Sequence, residues 1–166
     1  MFKNPFQVAI TFAALSLVFK VALFTMDVQH GAMETGIRYF YMLILLVAVF
    51  FGIRSEKVAA DKQTTFGQDF RAGARTASFF AILTAVITYV YYAKIDSEFF
   101  AIKQQPLLDE LYEKVKVDYS NTESDRDIKE LKENVTNQIY SIRMYLSPYF
   151  QAMWTMFGLV FLGLFN

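Results

Sequence analysis

The stretch TFGQDFRAGARTASFFAIL, residues 65–83, runs from charged and amide side chains directly into continuous apolar sequence. Small residues recur at every fourth position across this junction, at Gly73, Ala77, Ala81 and Ala85. A four-residue spacing places side chains on one face of an α-helix. The stretch therefore predicts a helix that begins in a polar environment, continues into an apolar one and carries a stripe of small side chains.

The amount of apolar sequence exceeds what one small soluble core can hold. Of the 166 residues, 55% are hydrophobic, and the mean hydropathy is +0.28. A bilayer core is crossed by about 20 helical residues, and four apolar runs approach that length: 6–26, 37–53, 74–92 and 148–165. We expect an all-α integral membrane protein with four transmembrane helices in a single membrane domain over residues 1–166.

The first apolar run also resembles a secretory signal, because Lys3 precedes it. The run is longer than the roughly 7–15 apolar residues of such a signal. Lys20 interrupts it, and no small-x-small cleavage motif follows before Asp27. We therefore expect the run to remain as the first transmembrane helix.

The basic residues of the short loops indicate the orientation, since Lys and Arg favour the cytoplasmic side of a membrane. The loop over 27–36 has neither residue type, whereas basic residues cluster before and at the start of span three: Arg54, Lys57, Lys62, Arg71 and Arg75. All ten tyrosines fall at or beyond the opposite ends of the spans. The pattern predicts a multi-pass protein of a bacterial inner membrane with a cytoplasmic N-terminus, in which Arg71 and Arg75 contact headgroup phosphates.

The segment between spans three and four predicts an extramembrane helical hairpin over residues 97–145, on the periplasmic side. Its apolar residues have helical spacing in two groups: Leu108, Leu111 and Val115, then Ile128, Leu131, Val135, Ile139, Ile142 and Leu146. Pro106 is typical of a helix start, and the polar stretch 120–124 supplies caps for the second helix. The acidic excess of this segment is interpreted as a solvated face rather than a cation site.

The small-residue stripe has two interpretations. Gly73, Ala77, Ala81 and Ala85 allow close approach of another helix backbone, which favours association within a bilayer. The neighbouring helix can belong to the same chain, or the stripe can be the interface with a second copy or another protein.

Lys20 is the ionisable group deepest within a predicted span, and such groups suggest function by default. Its side chain can extend along the lipid-facing surface to the outer interface, about 9 Å away at 1.5 Å per residue. Alternatively it faces the helix bundle, where the available polar groups are Thr84, Thr88, Tyr89, Gln151 and Thr155. The spans contain no acidic residue, which weighs against an ion-coupled transporter.

Catalytic chemistry has little support in the sequence. There is one histidine, no cysteine and no glycine-rich phosphate loop. Asp27, His30 and Glu34 have a spacing that would suit a metal on a helix, but Gly31 favours a polar loop at this place. We expect neither a catalytic site nor a metal or other cofactor.

Three segments carry a resemblance to a known family: TTFGQDFRAGART (64–76), YVYYAKIDSEFF (89–100) and YLSPYFQAMWTMFGLVFLGLFN (145–166). Together they resemble a Bacteroidota membrane-protein family known as domain of unknown function 4199, across essentially the whole chain. Ser97 stands where members of that family often have proline. The resemblance implies a basic tail after Asn166 and no known activity. It also implies a polyprenyl-phosphate glycosyltransferase as a candidate partner, because genes of the family lie near such enzymes.

Three functions remain open from the sequence. A non-catalytic accessory subunit that anchors or stabilises a larger membrane complex, or a homo-oligomer, agrees best with the few charges in the spans, the small-residue stripe and the hairpin. A small transporter or channel subunit that uses Lys20 is the alternative. An unrecognised enzyme is the third and has the least support. No nucleic-acid partner is expected.

Overall fold

The computed structural model describes residue 2 and residues 4–28, 32–61, 63–120 and 124–165. Six α-helices lie in this part of the chain, which contains no strand: α1 (Pro5–Thr25), α2 (Ala32–Ala59), α3 (Phe66–Val90), α4 (Phe99–Ser120), α5 (Asp125–Tyr145) and α6 (Pro148–Leu164). A π-helical turn over Tyr91–Ile95 continues α3. The prediction of an all-helical chain is confirmed.

Two helices among the described residues are long and apolar enough to cross a membrane. They are Pro5–Thr25 and the continuous helix Phe66–Ile95. Pro148–Leu164 is apolar but shorter. Helix α2 covers the predicted second span, and α6 covers the fourth.

Local signals at both ends explain the limits of α1. The side chain of Asn4 accepts a hydrogen bond from the backbone N–H of Gln7 at 2.9 Å, and Pro5 occupies the first helical position, where its missing N–H costs nothing. At the other end Asp27 adopts a left-handed conformation with φ 56°. The N–H of Val28 then reaches the carbonyl of Leu23 at 3.2 Å, which closes the helix with a Schellman motif.

The polar residues that open the decisive stretch start α3. The side-chain oxygen of Gln68 accepts a hydrogen bond from the N–H of Thr65 at 2.8 Å, as in a capping box. The hydroxyl of Thr64 donates to the carboxylate of Asp69 at 2.8 Å, and the ammonium of Lys57 lies 2.9 Å from the other carboxylate oxygen. The charged sequence therefore serves the turn between α2 and α3, and the apolar sequence follows once the helix has begun.

The described chain divides into two compact units. Unit 1 comprises Met1–Thr88 and Ala152–Asn166, and unit 2 comprises Tyr89–Gln151. Unit 1 thus contains α1, α2, most of α3 and most of α6, and unit 2 contains the hairpin.

Helices α1, α2 and α3 of unit 1 alternate in direction. Ring contacts join Phe12 to Phe51 at 5.8 Å and Phe19 to Phe40 at 3.8 Å, so α1 and α2 are antiparallel. Helices α2 and α3 are joined by a short turn and meet again at Gly52 and Thr76, about equally far from it. Helix α3 is therefore parallel to α1, and the N-terminal ends of both lie at the same end of unit 1.

Unit 2 is a helical hairpin. The side-chain amide of Gln104 on α4 donates to the carbonyl of Leu146 at 2.6 Å, just after α5 ends. The predicted apolar positions of both helices are at least partly buried, with Leu111 the most buried at 7% exposure. The hairpin is thus held together by its two narrow apolar stripes.

One prediction about the hairpin is wrong. Helix α4 begins at Phe99 rather than at Pro106, which lies inside the helix. Proline lacks the N–H that would bond to the carbonyl of Ile102. Because Pro106 and Ile102 are both exposed, water can satisfy that carbonyl, and the helix continues through. Of the predicted caps for the second helix, Ser124 is the N-cap of α5, and residues 121–123 lie outside the described residues.

Candidate functional site

The small-residue stripe of α3 lies in the core of unit 1. Ala77 is 1% exposed, Ala81 0% and Ala85 8%, and Gly73 is also buried. A Cβ atom added to Gly73 would lie 3.3 Å from the side chain of Ile53 on α2. The cytoplasmic half of the stripe therefore packs against α2.

Two glycines on other helices complement α3. A Cβ atom added at Gly163 of α6 would lie 2.3 Å from the Cβ of Ala77. One added at Gly52 of α2 would lie 1.9 Å from the hydroxyl oxygen of Thr76. Both distances are too short for any real contact, so only glycine allows α2 and α6 to approach α3 this closely.

The sequence predictions named the stripe but not its partners Gly52 and Gly163. Each glycine lies in or beside an apolar run, which is a weak signal because glycine is common in membrane helices. Since the stripe is covered within unit 1, it has no free surface for a second chain. Any partner must contact another face of the protein.

A second feature of unit 1 is a set of buried polar side chains. Ser16 and Thr84 are both 0% exposed, Thr88 is 2% exposed and Lys20 is 5% exposed. Ser16 donates its hydroxyl hydrogen to the carbonyl of Phe12 at 2.9 Å, which satisfies it within α1. The burial of Lys20 favours the interpretation in which its side chain faces the helix bundle.

The helix contacts place several of these groups at one level. The contact between Phe19 and Phe40 brings Lys20 and Tyr41, which follow them in sequence, to the same height of the α1–α2 pair. Thr88 lies twelve residues beyond Thr76, and Phe40 lies twelve residues before Gly52, so the antiparallel pairing of α2 with α3 sets Thr88 level with Phe40. The polar groups therefore form a layer within about one helical turn.

Two hydroxyls in this region have no hydrogen-bond partner among the described residues. They are those of Tyr41 and Thr84, and both oxygen atoms are buried. Buried hydroxyls without partners are uncommon, because each carries a desolvation cost of about 1–3 kcal/mol. The layer thus contains hydrogen-bonding capacity that the described side chains do not use.

The other polar residues named as possible neighbours of Lys20 are distributed between the two units. Thr155 belongs to unit 1 and is partly buried. Tyr89 and Gln151 belong to unit 2, and Tyr89 is 47% exposed.

The basic end of α3 has two distinct sides. Arg71 and Arg75 are exposed, whereas Asp69 lies on the opposite side of the helix, about 200° from Arg71 at 100° per residue. The hydrogen bond from Lys57, together with that from Thr64, holds the pKa of the Asp69 carboxyl below its ordinary value. Asp69 is thus engaged away from the arginines, and neither guanidinium forms a salt bridge with a described residue.

The described residues contain no group of three or more His, Cys, Asp or Glu side chains that could hold a metal ion. Asp27 is exposed at the end of α1. His30 lies outside the described residues, as does the side chain of Glu34, so the grouping considered from the sequence stays untested.

Comparison with known proteins yields one match. The profile of a family described as "Protein of unknown function (DUF4199)" matches residues 7–166. No curated protein and no solved structure matches the chain.

Proposed function

The chain belongs to the DUF4199 family, whose function is unknown, and from this premise we propose that it is a non-catalytic accessory subunit that anchors or stabilises a larger membrane complex. The proposal has two parts, a four-span placement in a bacterial inner membrane and a docking role for the hairpin.

The exposed surface of unit 1 supports the membrane placement. Large apolar side chains face outward on each of its helices, for example Val18 at 65% exposure, Phe50 at 59%, Val86 at 58% and Phe161 at 64%. Removing such surface from water stabilises by about 25 cal/mol per Å². Helices that are apolar outside and lined by small residues inside suit a lipid environment, where close backbone packing replaces the hydrophobic effect between helices.

The four-span arrangement with a cytoplasmic N-terminus follows from the direction of the helices and the loop charges. Helices α1, α2 and α3 alternate in direction, and the basic residues lie at the end of unit 1 that holds the α2–α3 turn. This end is cytoplasmic under the positive-inside rule. The connection from α1 to α2 is then periplasmic, and so is the hairpin.

The observation that carries the docking role is the exposure of tyrosines on the hairpin. Tyr112 is 47% exposed, Tyr119 51%, Tyr140 67% and Tyr145 54%. Tyr112 and Tyr119 are seven residues apart and share one face of α4. Tyrosine is enriched in protein interfaces, where its ring supplies contact area and its hydroxyl a hydrogen bond. In the proposed periplasmic position no lipid covers these rings, so a protein partner is their best-suited neighbour.

The test is copurification from native membranes in a mild detergent, followed by identification of the proteins that stay bound. The double variant Tyr112→Ser, Tyr119→Ser should lose the partner at unchanged abundance. The matched control is Glu113→Ser, Lys116→Ser, which removes an exposed ion pair of the same helix that contributes little to stability. A polyprenyl-phosphate glycosyltransferase is the candidate partner. Equal recovery of the partner with both variants would show that this face does not dock.

The buried polar layer favours one alternative, a small transporter or channel subunit that uses Lys20. A buried ammonium near hydroxyls without partners resembles the interior of a polar pathway more than a packing core. Lys20→Met retains an unbranched side chain of similar length and removes the charge. An accessory subunit should keep its abundance and partner with this change, whereas a carrier should lose flux in reconstituted vesicles at unchanged abundance.

A further inference from the structure

One face of unit 1 has the chemical pattern of a phospholipid along its length. On α3, Arg71 and Arg75 are followed on the same side by Phe79, Ile82 and Val86, at helical spacings of four, four, three and four residues. All five side chains are exposed, with Phe79 at 39%, Ile82 at 49% and Val86 at 58%. Cationic groups thus lie at one end of a continuous apolar stripe.

Helix α1 widens this stripe. The rings of Phe6 and Phe79 meet edge to face, with centroids 5.1 Å apart. One turn further along α1, Ile10 is 44% exposed and lines a shallow groove of about 380 Å³ together with Phe2, Gln7 and Thr11. The apolar surface therefore continues from α3 across α1 and ends in a concave region that can hold a hydrocarbon chain.

The length of the stripe matches one leaflet. Arg75 and Val86 are eleven residues apart, or about 16 Å along the helix at 1.5 Å per residue. Half of a hydrocarbon core of about 30 Å is about 15 Å. A lipid whose headgroup lies at Arg71 and Arg75 would have its acyl chains beside Phe79, Ile82 and Val86 down to the middle of the bilayer.

The charge pattern specifies an anionic headgroup. Asp69, the nearest acidic residue in sequence, is held on the other side of α3 by Lys57 and Thr64. The two guanidiniums therefore present an uncompensated positive charge, and guanidinium groups bind phosphate oxygens through paired, charge-assisted hydrogen bonds.

We propose that the α1–α3 face of unit 1 binds one anionic phospholipid, with its phosphate at Arg71 and Arg75 and its acyl chains along Phe79, Ile82 and Val86. The inference rests on the membrane placement of unit 1 but not on the accessory role, because the site needs no protein partner.

The test is native mass spectrometry of the purified full chain in detergent, titrated with dioleoyl phosphatidylglycerol or dioleoyl phosphatidylcholine. The two lipids have the same acyl chains and differ in headgroup charge. We expect the parent to bind phosphatidylglycerol at least about tenfold more tightly. Replacing both arginines, Arg71→Gln with Arg75→Gln, should remove this preference, a loss of about tenfold or more, since two charge-assisted hydrogen-bonding groups disappear.

Two comparisons guard the interpretation. Arg54→Gln removes an exposed charge at the same end of unit 1 but on α2, and it should change phosphatidylglycerol binding by less than about twofold. The pair Arg71→Lys, Arg75→Lys keeps the charge in case the glutamine variant does not fold, and should retain a preference for phosphatidylglycerol. Inorganic phosphate should compete only weakly, because it lacks the acyl chains.

Three results would overturn the proposal. Equal binding of both lipids by the parent would show that the arginines do not select an anionic headgroup. An equal loss with Arg54→Gln would reduce the effect to general attraction between charges. Displacement of the lipid by inorganic phosphate at similar concentrations would show that the apolar stripe contributes nothing. Each measurement uses the chain alone, so failure here leaves the copurification test of the accessory role unaffected.

Discussion

Replacing Gly163 by alanine should test the closest helix approach that involves the small-residue stripe. The new Cβ would lie 2.3 Å from the Cβ of Ala77, whereas ordinary contact begins at about 3.4 Å. Helix α6 must therefore move away from α3 by roughly 1 Å, and a gap of 0.5–1 Å already removes about a quarter to a half of the dispersion energy of the separated atoms. Overpacking of this kind typically costs about 1–3 kcal/mol of unfolding free energy.

The same contact offers its own rescue. Exchanging the two residues, Gly163→Ala with Ala77→Gly, removes the clashing Cβ and leaves the nearest Ala77 atom, its Cα, at 3.6 Å, which is ordinary contact. The double variant should recover most of the lost stability. Gly158→Ala is the matched control, because it lies on the same helix with nothing within 4 Å of the added atom. We expect the control to stay within about 0.5 kcal/mol of the parent.

The assay is unfolding of the purified protein in detergent, monitored by the fluorescence of Trp154, the single tryptophan, which lies on α6. The reasoning is refuted if Gly163→Ala and Gly158→Ala are equally stable, since α6 would then not pack against α3 through Gly163 and Ala77. A destabilised Gly163→Ala variant that the exchange fails to rescue would instead indicate that the cost arises elsewhere in α6.

Three further variants test other parts of the structure. Ala81→Phe should lower stability or abundance, because Ala81 is fully buried, whereas Ile82→Phe, at a position 49% exposed, should be tolerated; equal abundance of the two would contradict the packing of α3. Gly52→Ala should destabilise through its 1.9 Å approach to the Thr76 hydroxyl, and adding Thr76→Ala should recover part of the loss in the same unfolding assay. For topology, a cysteine at Gln63 should resist an impermeant thiol reagent in intact cells while one at Glu133 reacts; the reverse labelling would invert the proposed orientation.

The helical nature of the chain was predictable because hydropathy and periodicity are local properties. The apolar run 148–165 corresponds to α6, and the run 6–26 corresponds to α1. Each run is long, contains few charges and needs no knowledge of its neighbours to be interpreted as a helix. The family resemblance was likewise carried by local motifs, and it is confirmed over residues 7–166.

The start of the first hairpin helix was not predictable in the same way. Pro106 is a reasonable first residue of a helix when considered alone. The aromatic residues Phe99 and Phe100 precede it, are both 5% exposed and contact each other's rings within unit 2. Their packing extends α4 by two turns on the N-terminal side, so tertiary contacts decide where this helix begins.

The sequence by itself determined that Gly73, Ala77, Ala81 and Ala85 lie on one face of α3, because that relation depends only on helix geometry. Which neighbours this face meets was decided by the tertiary structure, since Gly52 and Gly163 become complementary only when three helices adopt one particular register. Lys20 follows the same rule. Its charge and its depth in α1 are properties of the sequence, but its 5% exposure depends on the rotation of α1 against the neighbouring helices, which no residue within α1 specifies alone.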